Sequence, residues 1–165
     1  MAFSHSLRNF PFKTLFHSLI FLFKGKPYLK YKISKNFIIP FEDLNFNKAA
    51  FDFIRDVKNR HRTVYLISGS HQVLVDQIAK KLNIFFESFG TRDNFNMVGS
   101  NKVKFIKENL KIHDFDYLGN SHKDLPIWEY TKRAIHTNAS QELIKTIKSK
   151  DLEYREIPAN FTSTR

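Results

Sequence analysis

Apolar positions change their spacing along the chain. Over Phe12–Phe23, Leu15, Leu19, Ile20, Leu22 and Phe23 cover most of a helical circumference. Gly25 closes that segment, with Lys24 and Lys26 near its negative C-terminal end. Tyr28–Lys35 predicts a second helix, with Leu29 and Ile33 four apart and Lys30, Lys32 and Lys35 among them. Such a basic, one-sided helix reads either as a lid or membrane-surface helix, or as a helical pair packed on the domain. Phe37–Phe46 is mixed and broken by Pro40. Ala50, Phe53, Ile54 and Val57 then predict a helix over Asn47–Asn59.

Downstream, short β-rich runs alternate with helical ones. Thr63–Ile67 reads as a central parallel strand ending in Ser68-Gly69-Ser70. Leu74, Ile78 and Leu82 give a helix over His71–Leu82, with Ser70 as its N-cap. Strands are expected at Ile84–Phe89, Phe115–Leu118 and Ala134–Thr137. Helices are expected at Asn101–Leu110, Asp124–Arg133 and Ser140–Lys150, and Thr91–Ser100 is a loop. The tail from Asp151 is expected to fray. Alternation of this kind means an α/β fold, a parallel sheet with helices on both faces. The expected division is a helical segment over residues 11–46, an α/β core over 47–150 and a tail over 151–165.

Composition narrows the partners. The 165 residues suit one domain, or one domain with a small appendage. There are no cysteines, which removes disulfides and thiolate metal sites and fits a cytoplasmic location. A net charge of +11 favours polyanions, anionic lipid at the membrane surface, or phosphorylated ligands. The 18 phenylalanines beside many Lys, Asn and Ile point partly to codon bias, so lysine abundance weighs little as a nucleic-acid signal. The most apolar run, Leu15–Phe23, holds His17 and Ser18 and is far shorter than the roughly 20 residues of a membrane span.

Polar residues gather where strands end. Ser68 and Ser70 stand where a strand turns into a helix, a place where backbone N–H groups and a hydroxyl can cradle phosphate. Plain capping is the alternative for either serine, and for Ser70 it is the better reading. Lys102 opens a helix after Gly99-Ser100-Asn101 and can present a point charge to a phosphoryl oxygen. In Phe115–Trp128, FDYLGNSHKDLPIW, a strand, a polar loop and a helix with Pro126 in its first turn follow one another. Asn120 and Asp124 could offer oxygen ligands to a hard cation such as Mg²⁺. The plainer reading makes Asp124 a helix cap.

Together these motifs resemble the haloacid-dehalogenase-like (HAD) phosphohydrolase superfamily. LISGS looks like its second motif, with Ser68 in the phosphate-binding role beside Gly69. Gly99–Lys102 looks like the third, with Lys102 the phosphate-facing lysine, and GNSHKD like the fourth, which holds metal. YLGNSHKDLPIW followed by RAIHTNAS is similar to the subgroup found alone or fused to UbiA-type prenyltransferases, where a stretch like Phe23–Ile33 belongs to a helical cap. The resemblance covers roughly Ser4–Leu143. It implies a HAD-like Rossmannoid fold and a Mg²⁺-assisted phosphatase acting on a phosphorylated small molecule or a lipid-linked phosphate. In that chemistry an aspartate takes the phosphoryl group and water then releases it. Ser68 and Lys102 would stabilise the moving phosphoryl group.

Two features depart from the family pattern. The first acidic residue is Glu42, and no Asp-x-Asp-Gly-Thr strand precedes the helical segment. The expectation is therefore a sheet without its nucleophile strand and a chain with little phosphatase activity of its own. Asn120 also stands where an aspartate is usual, which weakens a metal site by one charge. The readings left are a phosphatase with a truncated start and a non-catalytic module that binds or regulates through a phosphorylated ligand. A basic nucleic-acid-binding domain ranks last, because no RNP-like or helix-turn-helix pattern is present.

Overall fold

The computed structural model describes residues 26–43, 45–92 and 94–163. The expected helix over Phe12–Phe23 lies outside them. In chain order the elements are α1 (residues 26–34), a 3₁₀ turn Phe41–Asp43, β1 (Asn45–Asn47), α2 (Lys48–Asn59), β2 (Tyr65–His71), α3 (Gln72–Leu82), β3 (Glu87–Thr91) and α4 (Ser100–Glu108). There follow β4 (Asp116–Gly119), a 3₁₀ turn His122–Asp124, α5 (Leu125–Trp128), β5 (Arg133–Thr137), α6 (Gln141–Ser149), β6 (Tyr154–Ile157) and β7 (Phe161–Ser163). The chain is thus mixed α/β with short parallel sheets. No helix among the described residues is long and apolar enough to cross a membrane.

Two compact units share the chain. The described part of the first comprises residues 26–39 and 63–97, and that of the second residues 40–62 and 98–163. The helical segment that the sequence assigns to residues 11–46 is therefore divided. Residues 26–39 join the β2–α3–β3 unit, whereas the turn at 41–43 and β1 go with the second unit.

In the first unit β2 and β3 pair in parallel, with Ile67 opposite Phe89, and the register shifts between Ile67 and His71. Extended backbone consequently runs through Ser68, Gly69 and Ser70, and α3 starts at Gln72. The N-cap is His71, whose Nδ1 accepts from Val73 N–H at 3.3 Å, not Ser70. Gly90 lets α3 approach β3 closely. A Cβ there would lie 2.8 Å from both the Ser70 carbonyl oxygen and Val75 Cγ2. The Gln72 amide uses that proximity, accepting from Gly90 N–H and donating to the Ser88 carbonyl.

In the second unit β4, β5 and β6 form a parallel sheet in that order, and β1 pairs with β7 antiparallel. Tyr117, Ala134 and Tyr154 stand in register, as do Gly119, His136 and Glu156. Strand side chains alternate, so these six positions share one face. Trp128, Ala134, Leu143 and Ile147 form the buried cluster on that face, with Tyr117, Leu125, Ala139 and Leu152 packed around it. Burying such side chains is worth about 1.5–3 kcal/mol each, which fixes α5 and α6 on the sheet. On the opposite face Arg155 meets the Phe53 ring of α2 at 4.9 Å, and Asn47 Nδ2 donates to Thr137 Oγ1 at 2.6 Å. Helices cover both faces of this sheet, as the alternating pattern requires.

Two expectations fail here. The tail does not fray at Asp151, because β6 and β7 pair with β5 and β1. The helix expected over Asp124–Arg133 stops at Trp128. The Thr131 hydroxyl takes the Trp128 carbonyl at 3.0 Å, Lys132 N–H bonds to the Phe115 carbonyl, and the next residue enters β5.

Candidate functional site

Asp124 is the centre of the best-organised polar cluster in the second unit. β4 ends at Gly119, the loop Asn120–Ser121 turns, and the 3₁₀ turn brings Asp124 back beside the strand. Gly119 makes room for it. A Cβ at Gly119 would lie 2.8 Å from Asp124 Oδ2 and 2.9 Å from its Cγ, distances that real Cβ atoms do not tolerate. Ser121 and Asp124 form a capping box, each side chain bonding the other's backbone N–H. The plainer reading of Asp124 as an N-cap is thereby refined. Asp124 is the third residue of the turn and reaches backwards, and its side chain makes no cap to α5.

Five donors converge on this carboxylate. Oδ2 accepts from the N–H groups of Asn120 and Ser121, each at 3.1 Å, and from Ser121 Oγ at 3.2 Å. Oδ1 accepts from the Tyr117 hydroxyl at 3.1 Å and from Lys102 Nζ at 3.3 Å. Lys102 comes from the first turn of α4, 22 residues away along the chain, and also donates to the Tyr117 hydroxyl at 2.6 Å. Both charged residues are buried, Asp124 at 5% exposure and Lys102 at 9%. Gly99 is the N-cap of α4, and its φ of +56° is unfavourable for any residue with a side chain.

Burial pushes the Asp124 carboxyl up. The Lys102 charge, then the hydrogen bonds from Asn120 N–H, Lys102 and Tyr117, outweigh burial and hold the carboxyl below the ordinary carboxylate value. Tyr117 moves the other way. Burial first, then the Asp124 charge and the hydrogen bond to it, push the phenol well above its usual range. Tyr117 is therefore a neutral hydroxyl, accepting from the ammonium and donating to the carboxylate. Its carbonyl accepts from the Trp128 indole N–H at 2.9 Å, so Tyr117 is tied at both ends to the segment Asp124–Trp128. That tie gives the DLPIW stretch its structural purpose, with Trp128 anchoring the turn that presents Asp124.

The structure thus brings Lys102, Asn120 and Asp124 together. Ser68 and Gly69 belong to the other unit. There Ser68 Oγ accepts from Ser70 N–H at 3.2 Å. The helix begins beyond His71, so neither serine stands at its N-terminus. Gly69 presents its carbonyl, which accepts from Lys30 Nζ at 2.5 Å and Thr91 Oγ1 at 2.9 Å. Lys30 also donates to Asn96 Oδ1 at 2.6 Å, and the Tyr31 ring tilts onto His71 with centroids 5.2 Å apart. α1 is fastened to the end of β2 by these contacts. Spacing alone marked Lys30 only as one of several lysines, since its acceptors lie far off in sequence.

Two further polar residues escaped sequence reasoning. Tyr117 read as a strand residue. His136 is 1% exposed on β5, stacked on Tyr154, with no hydrogen-bond partner for either ring nitrogen among the described residues. Burial first, and the Lys148 charge, lower its pKa, against an opposing pull from Glu156.

The expected Mg²⁺ does not fit this carboxylate as it stands. A carboxylate offers about four lone-pair positions, and five protein donors already occupy them. Among the described residues no three His, Cys, Asp or Glu side chains cluster as a metal site.

No family model matches the chain, and no solved structure matches it. A curated protein of Sinorhizobium fredii, "Uncharacterized protein y4nM", is 30% identical over 139 residues, which is 80% of this chain. The chain spans about a quarter (27%) of that relative's length. It is similar to a piece of a larger protein that carries no functional name.

Proposed function

We propose that the chain is a HAD-like module that binds a phosphorylated small molecule or lipid phosphate, without supplying an aspartate nucleophile from residues 1–165. The observation that supports this reading most is the buried Lys102–Asp124 pair at the carboxyl end of β4. Ligands of open α/β sheets sit at strand carboxyl ends. A buried ammonium is costly unless it is paired and its N–H groups are hydrogen-bonded. Two of its N–H donors go to Tyr117 and Asp124, and the third is assigned to a phosphoryl oxygen. Asp124 holds the lysine charged and aimed, so truncation of either side chain removes the anion site.

Two assays test the reading. Hydrolysis of p-nitrophenyl phosphate should stay at background for this chain. Inorganic phosphate should bind, and Lys102→Met should abolish binding while the fold persists. Robust hydrolysis by the chain alone would replace the non-catalytic reading with a phosphatase. Equal phosphate affinity in Lys102→Met would remove the site.

A further inference from the structure

We propose that Lys102 stands in for a divalent cation at the Asp124 loop, so that this loop is folded and charge-neutralised without a metal. The inference rests on the loop's hydrogen-bond geometry and does not depend on the phosphate reading.

A Mg²⁺-binding aspartate needs a free oxygen lone pair aimed at the ion, and usually further anionic oxygens nearby. Here the charge has been supplied from within. The Lys102 ammonium lies 3.3 Å from Asp124 Oδ1 with little exposure to water. The Tyr117 hydroxyl occupies the same oxygen, and the loop's own N–H groups and the Ser121 hydroxyl occupy the other. To bind, an ion would have to displace two donors from one oxygen or three from the other. It would also have to sit against an ammonium that cannot retreat, because Tyr117 and Asp124 hold it. Asn120 adds a neutral amide where a second carboxylate would be needed, and its N–H is already part of the Asp124 shell.

The consequence is specific. Removing the lysine side chain frees Oδ1 of one donor and removes the opposing charge, so the loop should gain affinity for a divalent cation.

Mn²⁺ serves as the probe, followed by paramagnetic broadening of backbone amide signals in the ¹⁵N-labelled full chain. The wild-type Asn120, Ser121 and Asp124 amides should broaden no more than those of exposed carboxylates such as Glu108. In Lys102→Met the same three amides should broaden selectively, with apparent affinity raised about tenfold or more. A second variant guards against misfolding. Tyr117→Phe removes one donor but leaves the ammonium, and should show no selective broadening. Saturable, selective broadening of these amides in the wild type, reversed by Mg²⁺, would overturn the proposal. So would a folded Lys102→Met that gains no broadening at the loop.

Discussion

Gly119 and Asp124 share one volume: the place a Cβ would take at residue 119 lies 2.8 Å from Asp124 Oδ2. Gly119 itself is ordinary extended strand, so its role is clearance and not backbone freedom. Gly119→Ala should therefore push the Asp124 carboxylate off its donors. Overpacking of this kind costs about 1–3 kcal/mol. Urea denaturation of the variant should show a lowered midpoint with an unchanged slope, and the Ser121 amide signal should move. A variant as stable as wild type would mean that the loop has room to yield.

Asp124 should dominate stability in acid. Its folded-state pKa lies below the ordinary 3.8, so the unfolded chain binds a proton more readily. The contribution is complete above that ordinary value and is lost as pH falls through the lowered folded value. Removal of the carboxylate charge leaves Lys102 buried and unpaired, at a cost on the order of 3–5 kcal/mol. Asp124→Asn should melt lower at neutral pH. Its stability should also change less than wild type below about pH 4. Thermal melts followed by circular dichroism across that range check both statements. Parallel acid profiles for the two proteins would contradict them.

His136 should act in a separate window. Its pKa is lowered from 6.5, chiefly by burial, so above that value both states are neutral and the contribution is flat. As pH falls from 6.5 towards the folded value, the unfolded chain takes the proton first and stability declines. His136→Phe keeps the ring against Tyr154 and removes the titration. It should flatten the stability profile between about pH 7 and pH 5 relative to wild type. The ¹H shift of the His136 ring should titrate below the ordinary histidine value of 6.5. A His136 that titrates at or above the ordinary value would contradict this reading.

Lys30 holds the end of β2 through the Gly69 carbonyl. Lys30→Met removes a cationic donor from that carbonyl, which keeps the Thr91 hydroxyl, and from Asn96 Oδ1. Hydrogen exchange at the amides of Ser68 to His71 should speed up by about ten- to a hundredfold, since a lost charge-assisted bond is worth about 1.5–3 kcal/mol. Unchanged protection there would mean that the strand end holds itself.

Periodicity made much of the architecture legible. Tyr65–Ile67 is a short apolar run, Phe115–Leu118 is one broken only by Asp116, and each lies just ahead of a glycine, which marks short parallel strands. Leu143 and Ile147 sit four apart and fall on the sheet as the pattern requires. β6 was hidden because Tyr154, Arg155 and Glu156 are exposed or charged, and only Ile157 is buried. Charge on an edge strand guards against unwanted pairing and reads locally as a loop. The end of α5 was hidden for another reason, since Thr131 and Lys132 bond to partners set by the fold. At the site, GNSHKD marked Asn120 and Asp124 as a loop pair, and Lys102 followed from its place at a helix start. Tyr117 could not be chosen from sequence, because a strand tyrosine becomes a bridging hydroxyl only when α4 delivers a lysine to it.

Phosphate titration of the ¹⁵N-labelled chain decides whether Lys102 and the Asp124 loop form an anion site. Saturable shifts should centre on the amides of Asn120, Ser121 and Lys102 and be absent in Lys102→Met. Shifts spread over exposed lysines with no focus at this loop, or equal shifts in Lys102→Met, would contradict it.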